Sequence, residues 1–275
     1  MSFTLLALGS AIFASIANIL ARALLKNLKS RDILGINFLT MGVTLLLLSP
    51  WFYYFKITLL SFGLLVLISF IDCLANYFYF KIFEKNEASI ATPILSLAPA
   101  FTFLFAWLII NDVVSWEKYI ISLAIIILVV LFSADFSFKS FKFKSLLPGL
   151  ISSALFGLSA IPSKYLLSSG VINAPTLYMF RAGLIALFAL LFFRFPLNSL
   201  TTGQYQTIFF RGLFVITQWV LLYYALTLGN SGVTLTLSNT TPIFVFILGA
   251  IFLQEKITYK KIIAALLILI FSLII

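Results

Sequence analysis

Apolar residues run through this chain in stretches of roughly 20, a length that spans a bilayer core about 30 Å thick and exceeds what a strand or a surface helix needs. Interrupted at polar and charged residues, the pattern predicts ten helices, near 3–23, 33–55, 58–80, 88–110, 116–133, 147–168, 174–193, 204–227, 232–253 and 258–275. The clearest interruption is Asp135–Ser145, where aromatic and polar residues alternate and Lys139, Lys142 and Lys144 precede Pro148. It reads as a linker at 138–146 between five-helix halves at 1–137 and 147–275. The first run, Phe3–Leu20, has no basic flank before it and exceeds a secretory h-region, so it is expected to be a mature helix.

A duplication leaves matching residues at a fixed offset, and an offset of 143 aligns the halves without gaps. Pro99 falls on Pro242, Phe101 on Phe244, Asn111-Asp112 on Gln254-Glu255, Ser115 on Thr258, Trp116 on Tyr259 and Lys118 on Lys261. Five helices per half send the second half into the membrane from the opposite side. The expected fold is therefore an all-α membrane protein of two inverted five-helix repeats.

Composition agrees with lipid as the solvent: 63% of 275 residues are hydrophobic and 9% charged, too little polar surface to cover a globule in water. The net charge of +10 does not mark a nucleic-acid binder, because the basic residues sit at the ends of apolar runs. Arg22, Lys26, Lys29, Arg31, Lys81, Lys85, Lys139, Lys142, Lys144, Arg194, Lys256, Lys260 and Lys261 fall on one side, and Lys56 and Lys118 on the other. The positive-inside rule then places both termini outside and the odd-numbered connections in the cytosol. A single cysteine, Cys73, excludes an intrachain disulfide, and the lack of histidine excludes His-based metal sites, triads and proton relays. No cofactor is expected.

Three segments, Tyr223-Tyr224-Ala225-Leu226, Ser238-Asn239-Thr240-Thr241-Pro242-Ile243-Phe244 and Leu253-Gln254-Glu255-Lys256-Ile257-Thr258, together resemble the signature of the drug/metabolite transporter superfamily, in its ten-helix EamA-type branch. Arg181 stands where such proteins often carry an arginine in the seventh helix. The resemblance covers nearly the whole chain and implies a small-solute transporter with its termini inside, opposite to the reading from charge. The chain departs from the pattern at Asp112, where a Glu is usual, and at Phe38, where the first half often has its own arginine. The four-helix multidrug members place an acid in their first helix, and Phe3–Leu20 contains none.

An ionisable group near the bilayer centre costs roughly 2.5–3.5 kcal/mol, so each needs a partner or a purpose. Asp72, Lys164 and Arg181 qualify. Asp72, Asn76 and Tyr79 share one face of the third helix by their i, i+4, i+7 spacing, either as a solute or proton site or as a polar seam between helices. Asp72 is the candidate proton carrier. Gln218, Trp219 and Tyr223 offer an aromatic face on the eighth helix, open to stacking or to plain packing. Arg181 suits a carboxylate or phosphate of the solute, or a lock onto a carboxylate such as Asp72. Pro99 and Pro242 predict kinks, with Ser96 and Asn239 just before them as cavity-lining positions. Asn18 and Ser159 complete the candidate substrate contacts; Ser15, Ser153 and Ser163 read as helix glue.

The expected function is alternating-access transport or facilitated passage of a small polar metabolite: an amino acid or derivative, a nucleoside, or a sugar- or phosphate-bearing metabolite. The alternatives are an intramembrane enzyme, for which no nucleophile-base pair or metal cluster is present, and a non-transporting assembly subunit. The expected partners are the solute, the lipid bilayer and a coupling proton, in a monomer or homodimer within a prokaryotic inner membrane.

Overall fold

Helices start and stop where the sequence supplies a cap or removes a hydrogen bond. A computed structural model describes residues 3–110, 143–193, 200–228 and 240–255, with scattered positions elsewhere. Among the described residues the helices are α1 (Phe3–Leu25), α2 (Ser30–Leu48), α3 (Leu59–Lys85), α4 (Ala88–Leu95), α5 (Ala98–Ile110), α6 (Phe143–Ser168), α7 (Ala174–Phe192), α8 (Thr202–Leu228) and α9 (Thr241–Leu253). Thr58 opens α3 with a capping box, accepting from the Ser61 amide at 3.1 Å. Asn173 opens α7 the same way through the Thr176 amide at 3.0 Å, with Pro175 in the first turn.

Seven spans are long and apolar enough to cross a membrane, Ala88–Ile109 among them, and Thr241–Leu253 is a shorter apolar helix. The fifth and tenth predicted helices lie largely outside the described residues.

Both prolines expected to kink a helix stand in the first turn of one. The fourth span breaks at Ser96 and Leu97 and restarts as α5, so Pro99 sits in a first turn, where its missing N–H has no intrahelical role. Pro242 likewise opens α9 behind Thr240.

The duplication is visible in element bounds. The first and last residues of α3 and α8 are 143 apart, as are those of α5 and α9. Packing follows the same pairing: α1 lies on α8 as α6 lies on α3, α1 on α9 as α6 on α5, and α2 on α8 as α7 on α3. Between the halves α2 crosses α7, where a Cβ on Gly42 would come within 3.2 Å of the Gly183 nitrogen. Counterpart helices run in opposite directions. The start of α6 meets the end of α3 through the Asn86 amide and the Ser145 carbonyl (3.0 Å), and the start of α7 meets the end of α2 where Asn173 donates to the Phe52 carbonyl (2.6 Å).

Charged side chains at one end of the bundle act as caps. Arg22 donates to the Phe83 carbonyl (2.7 Å) at the end of α3, and Glu84 accepts from the amide of Ser30 (2.9 Å) at the start of α2. Glu255 follows Gln254, which closes α9 in the left-handed conformation (φ 56°), and accepts from the amides of Ala88 (2.8 Å) and Ser89 (3.1 Å). A carboxylate at a helix start satisfies free N–H groups and meets the positive end of the dipole. Glu255 thus ties the end of α9 to the first turn of α4.

Candidate functional site

Two polar clusters lie inside the bundle, each organised around an arginine. In the first, Arg181 projects from α7 and directs Nε and Nη2 at Asp72 Oδ2 on α3, with Nε at 2.7 Å. Its Nη1 donates to the Tyr223 hydroxyl on α8 and to Ser163 Oγ on α6 at 3.4 Å. The guanidinium lies 5.6 Å from the Trp219 ring, which stacks on Tyr178 at 6.0 Å between centroids. Asp72 is 0% exposed and Arg181 4%, so the pair is removed from solvent on both sides. Asp72 Oδ1 has no hydrogen-bond partner among the described residues. This is a charge-assisted lock between the two halves.

In the second cluster Arg211, from α8, is 3% exposed. Its Nη1 donates to Asn37 Oδ1 on α2 (2.7 Å) and its Nη2 to the Tyr79 hydroxyl on α3 (3.3 Å). The Phe80 ring lies 4.7 Å from the guanidinium carbon. Tyr79 in turn donates to Asn18 Oδ1 on α1, and Asn18 donates to Thr92 Oγ1 on α4 (3.3 Å). Met41 joins the clusters, its sulfur 3.9 Å from Asn37 Nδ2 and 3.6 Å from the Tyr178 hydroxyl.

The sequence profile of the EamA-like transporter family matches residues 1–134 and again 143–275, once per half. The chain belongs to the EamA-like transporter family. It is therefore an integral, multi-pass membrane protein and a transporter of small solutes, in a family of transporters and not of enzymes. A solved crystal structure, described only as that of a protein, covers 98% of this chain with 96% of its own at a TM-score of 0.69 and 15% identity; the likeness is one of fold. No curated protein matches the chain.

In this EamA-like transporter the α3 face predicted from Asp72, Asn76 and Tyr79 divides. Asp72 joins the Arg181 lock, Tyr79 the Arg211 cluster, and the half-buried Asn76 donates back to the Asp72 carbonyl at 2.8 Å. Arg181 pairs with Asp72, one of the two arrangements open to it. Trp219 and Tyr223 line the first cluster, Asn18 the second, and Gln218 is half-buried on α8. Ser96 and Ser159 bond carbonyls of their own helices, Thr92 at 3.1 Å and Phe156 at 3.1 Å. Ser15 and Ser153 reach the Thr241 (3.1 Å) and Ile94 (2.8 Å) carbonyls of other helices, as glue should. Asn239 and Asp112 lie outside the described residues. Lys164 is exposed four residues from the end of α6.

Sequence reasoning misses Arg211 and Asn37. The signal was an arginine inside Ile208-Phe209-Phe210-Arg211-Gly212-Leu213-Phe214, an apolar stretch where a charge needs an explanation. Its nearness to the predicted start of the eighth helix hid it.

Proposed function

We propose that the chain is a secondary transporter or facilitator of a small polar metabolite, an amino acid or derivative, a nucleoside, or a sugar- or phosphate-bearing metabolite. Its ten helices form two repeats inverted about an axis in the membrane plane, and the solute sits between them, reached alternately from either side. The observation that carries this reading is the meeting of buried polar side chains from both halves, Asp72 with Arg181 and Tyr79 with Arg211, on helices that pack in matched, oppositely running pairs. Asn76, Tyr79, Gln218 and Trp219 are half-buried and are the solute-facing positions.

Asp72 serves as the coupling residue where the driving gradient is protonic, because a proton on its carboxyl would undo the only ion pair seen between the halves among the described residues. Uptake into proteoliposomes, screened over a metabolite library with and without a pH gradient, tests both parts. A polar metabolite accumulating or equilibrating against protein-free vesicles is the expected result. A protein that moves none of the library under either condition would refute it.

A further inference from the structure

The guanidinium edge that Arg181 gives to a carboxylate meets no acid on Arg211 among the described residues. Arg181 turns Nε and Nη2 toward Asp72. On Arg211 the same edge meets only the Tyr79 hydroxyl, 3.3 Å from Nη2, while Nε is buried with no hydrogen-bond partner among the described residues. Nη1 is held by Asn37 at 2.7 Å, which fixes the plane of the group. The Phe80 ring at 4.7 Å eases the burial of the charge but offers no acceptor to Nε–H. Two parallel N–H groups on one edge match two oxygens of a single carboxylate or phosphate.

The duplication shows what stands in the other half at the places of the first cluster. Residues 80 and 223 are counterparts at the 143 offset; Tyr223 accepts from Arg181, and Phe80 lies under Arg211. The counterpart of Asp72 is Val215, buried one turn beyond Arg211 on α8. The places held by Asp72 and Tyr223 in the first cluster are thus held by Val215 and Phe80 in the other half, although Arg181 and Arg211 are not themselves counterparts. Of the remaining acids, Asp32, Glu84, Glu87 and Glu255 stand at helix ends, and Asp112, Glu117 and Asp135 fall at or between the ends of predicted helices. Arg211 lies nine residues into α8, about 14 Å from its start. Tyr79, whose hydroxyl meets Nη2, is half-buried.

We propose that Arg211 binds the anionic group of the transported solute, a carboxylate or a phosphate, through Nε and Nη2, with Asn37 holding the guanidinium and the Tyr79 hydroxyl beside the incoming oxygens. The inference rests on the polar-solute reading above and narrows it to solutes bearing such a group. Two measurements test it. Melting of the purified wild-type protein is followed with lactate against lactamide and with glycerol 3-phosphate against glycerol, at constant ionic strength. The library uptake is then repeated for Arg211→Gln and Arg211→Lys.

The acid of at least one pair should raise the melting temperature where its neutral analogue does not, and transported solutes should carry a carboxylate or phosphate. Arg211→Gln should weaken their apparent affinity by about 10- to 100-fold, with Arg211→Lys between it and wild type. Transport of uncharged solutes only, unchanged affinity in Arg211→Gln, or equal shifts for acids and neutral analogues overturns the assignment while leaving the transporter reading intact. If no library solute moves at all, both fall. Should Arg211→Gln fail to fold, the acid and neutral probes on wild type decide alone.

Discussion

Replacing Asp72 by asparagine keeps the shape of the side chain and removes its charge, leaving Arg181 as an unpaired cation. Both groups are buried, at 0% and 4% exposure, so water cannot take over from the lost partner. Breaking such a pair from one side costs about 3–5 kcal/mol. Tyr223 and Ser163 still accept from Nη1, and Trp219 still faces the guanidinium, so the loss for Asp72→Asn should fall near the lower bound, about 3 kcal/mol. Arg181→Met strands the carboxylate instead, since Arg181 is its only side-chain donor among the described residues. The double variant Asp72→Asn/Arg181→Met strands no charge and should recover a large part of either loss. Unfolding of the four proteins in one detergent closes the cycle and isolates the coupling. Losses that simply add, or an Asp72→Asn protein as stable as wild type, would show that the lock is not formed.

Glu255→Gln removes the charge at the start of α4 while keeping an acceptor, and should lower stability by about 1 kcal/mol on the same unfolding measurement; no change would detach Glu255 from that helix. Gly157 marks the closest approach of α6 to α5, where an added Cβ would stand 2.8 Å from the Thr102 nitrogen, so Gly157→Ala should destabilise by about 1–3 kcal/mol, and a neutral result would mean the helices sit further apart. A reporter fused to the C-terminus should read as external; a cytosolic readout overturns the orientation inferred from charge and favours the family expectation. With a proton gradient as the driving force, Asp72→Asn should lose pH-driven accumulation and keep solute binding, and normal coupling in that variant removes Asp72 from the role.

What the sequence made legible follows from two strong constraints. Lipid forces each crossing to be a long apolar run, so α1, α2, α3, α6, α7 and α8 stand close to where hydropathy places them. Duplication forces a constant offset, and the bounds of α3 with α8 and of α5 with α9 obey it. Local chemistry was harder to read. A proline in an apolar run does not say by itself where the span before it breaks, which here is at Ser96 and Leu97. The i, i+4, i+7 face on α3 was real, but spacing on one helix cannot say that Asp72 meets α7 while Tyr79 meets α8. Glu255 as the cap of α4 depends on an interaction 167 residues distant in sequence, which no local pattern reveals.

The duplication and the polar chemistry do not follow the same symmetry. Counterpart helices match in packing partner, yet Asp72 is matched by Val215, Arg181 by Phe38, Arg211 by Ile68 and Tyr79 by Leu222. Both buried arginines come from the second half, and each meets α3 of the first. A scaffold with matched halves can present two arrangements of similar energy, because a helix pair that parts at one face of the membrane has a counterpart pair that closes at the other. Side chains placed without that symmetry allow a single solute orientation to be distinguished from its mirror placement. On this reading the Asp72–Arg181 pair holds the halves in register, and Arg211, a buried cation that meets no acid among the described residues, is where a solute supplies the missing charge.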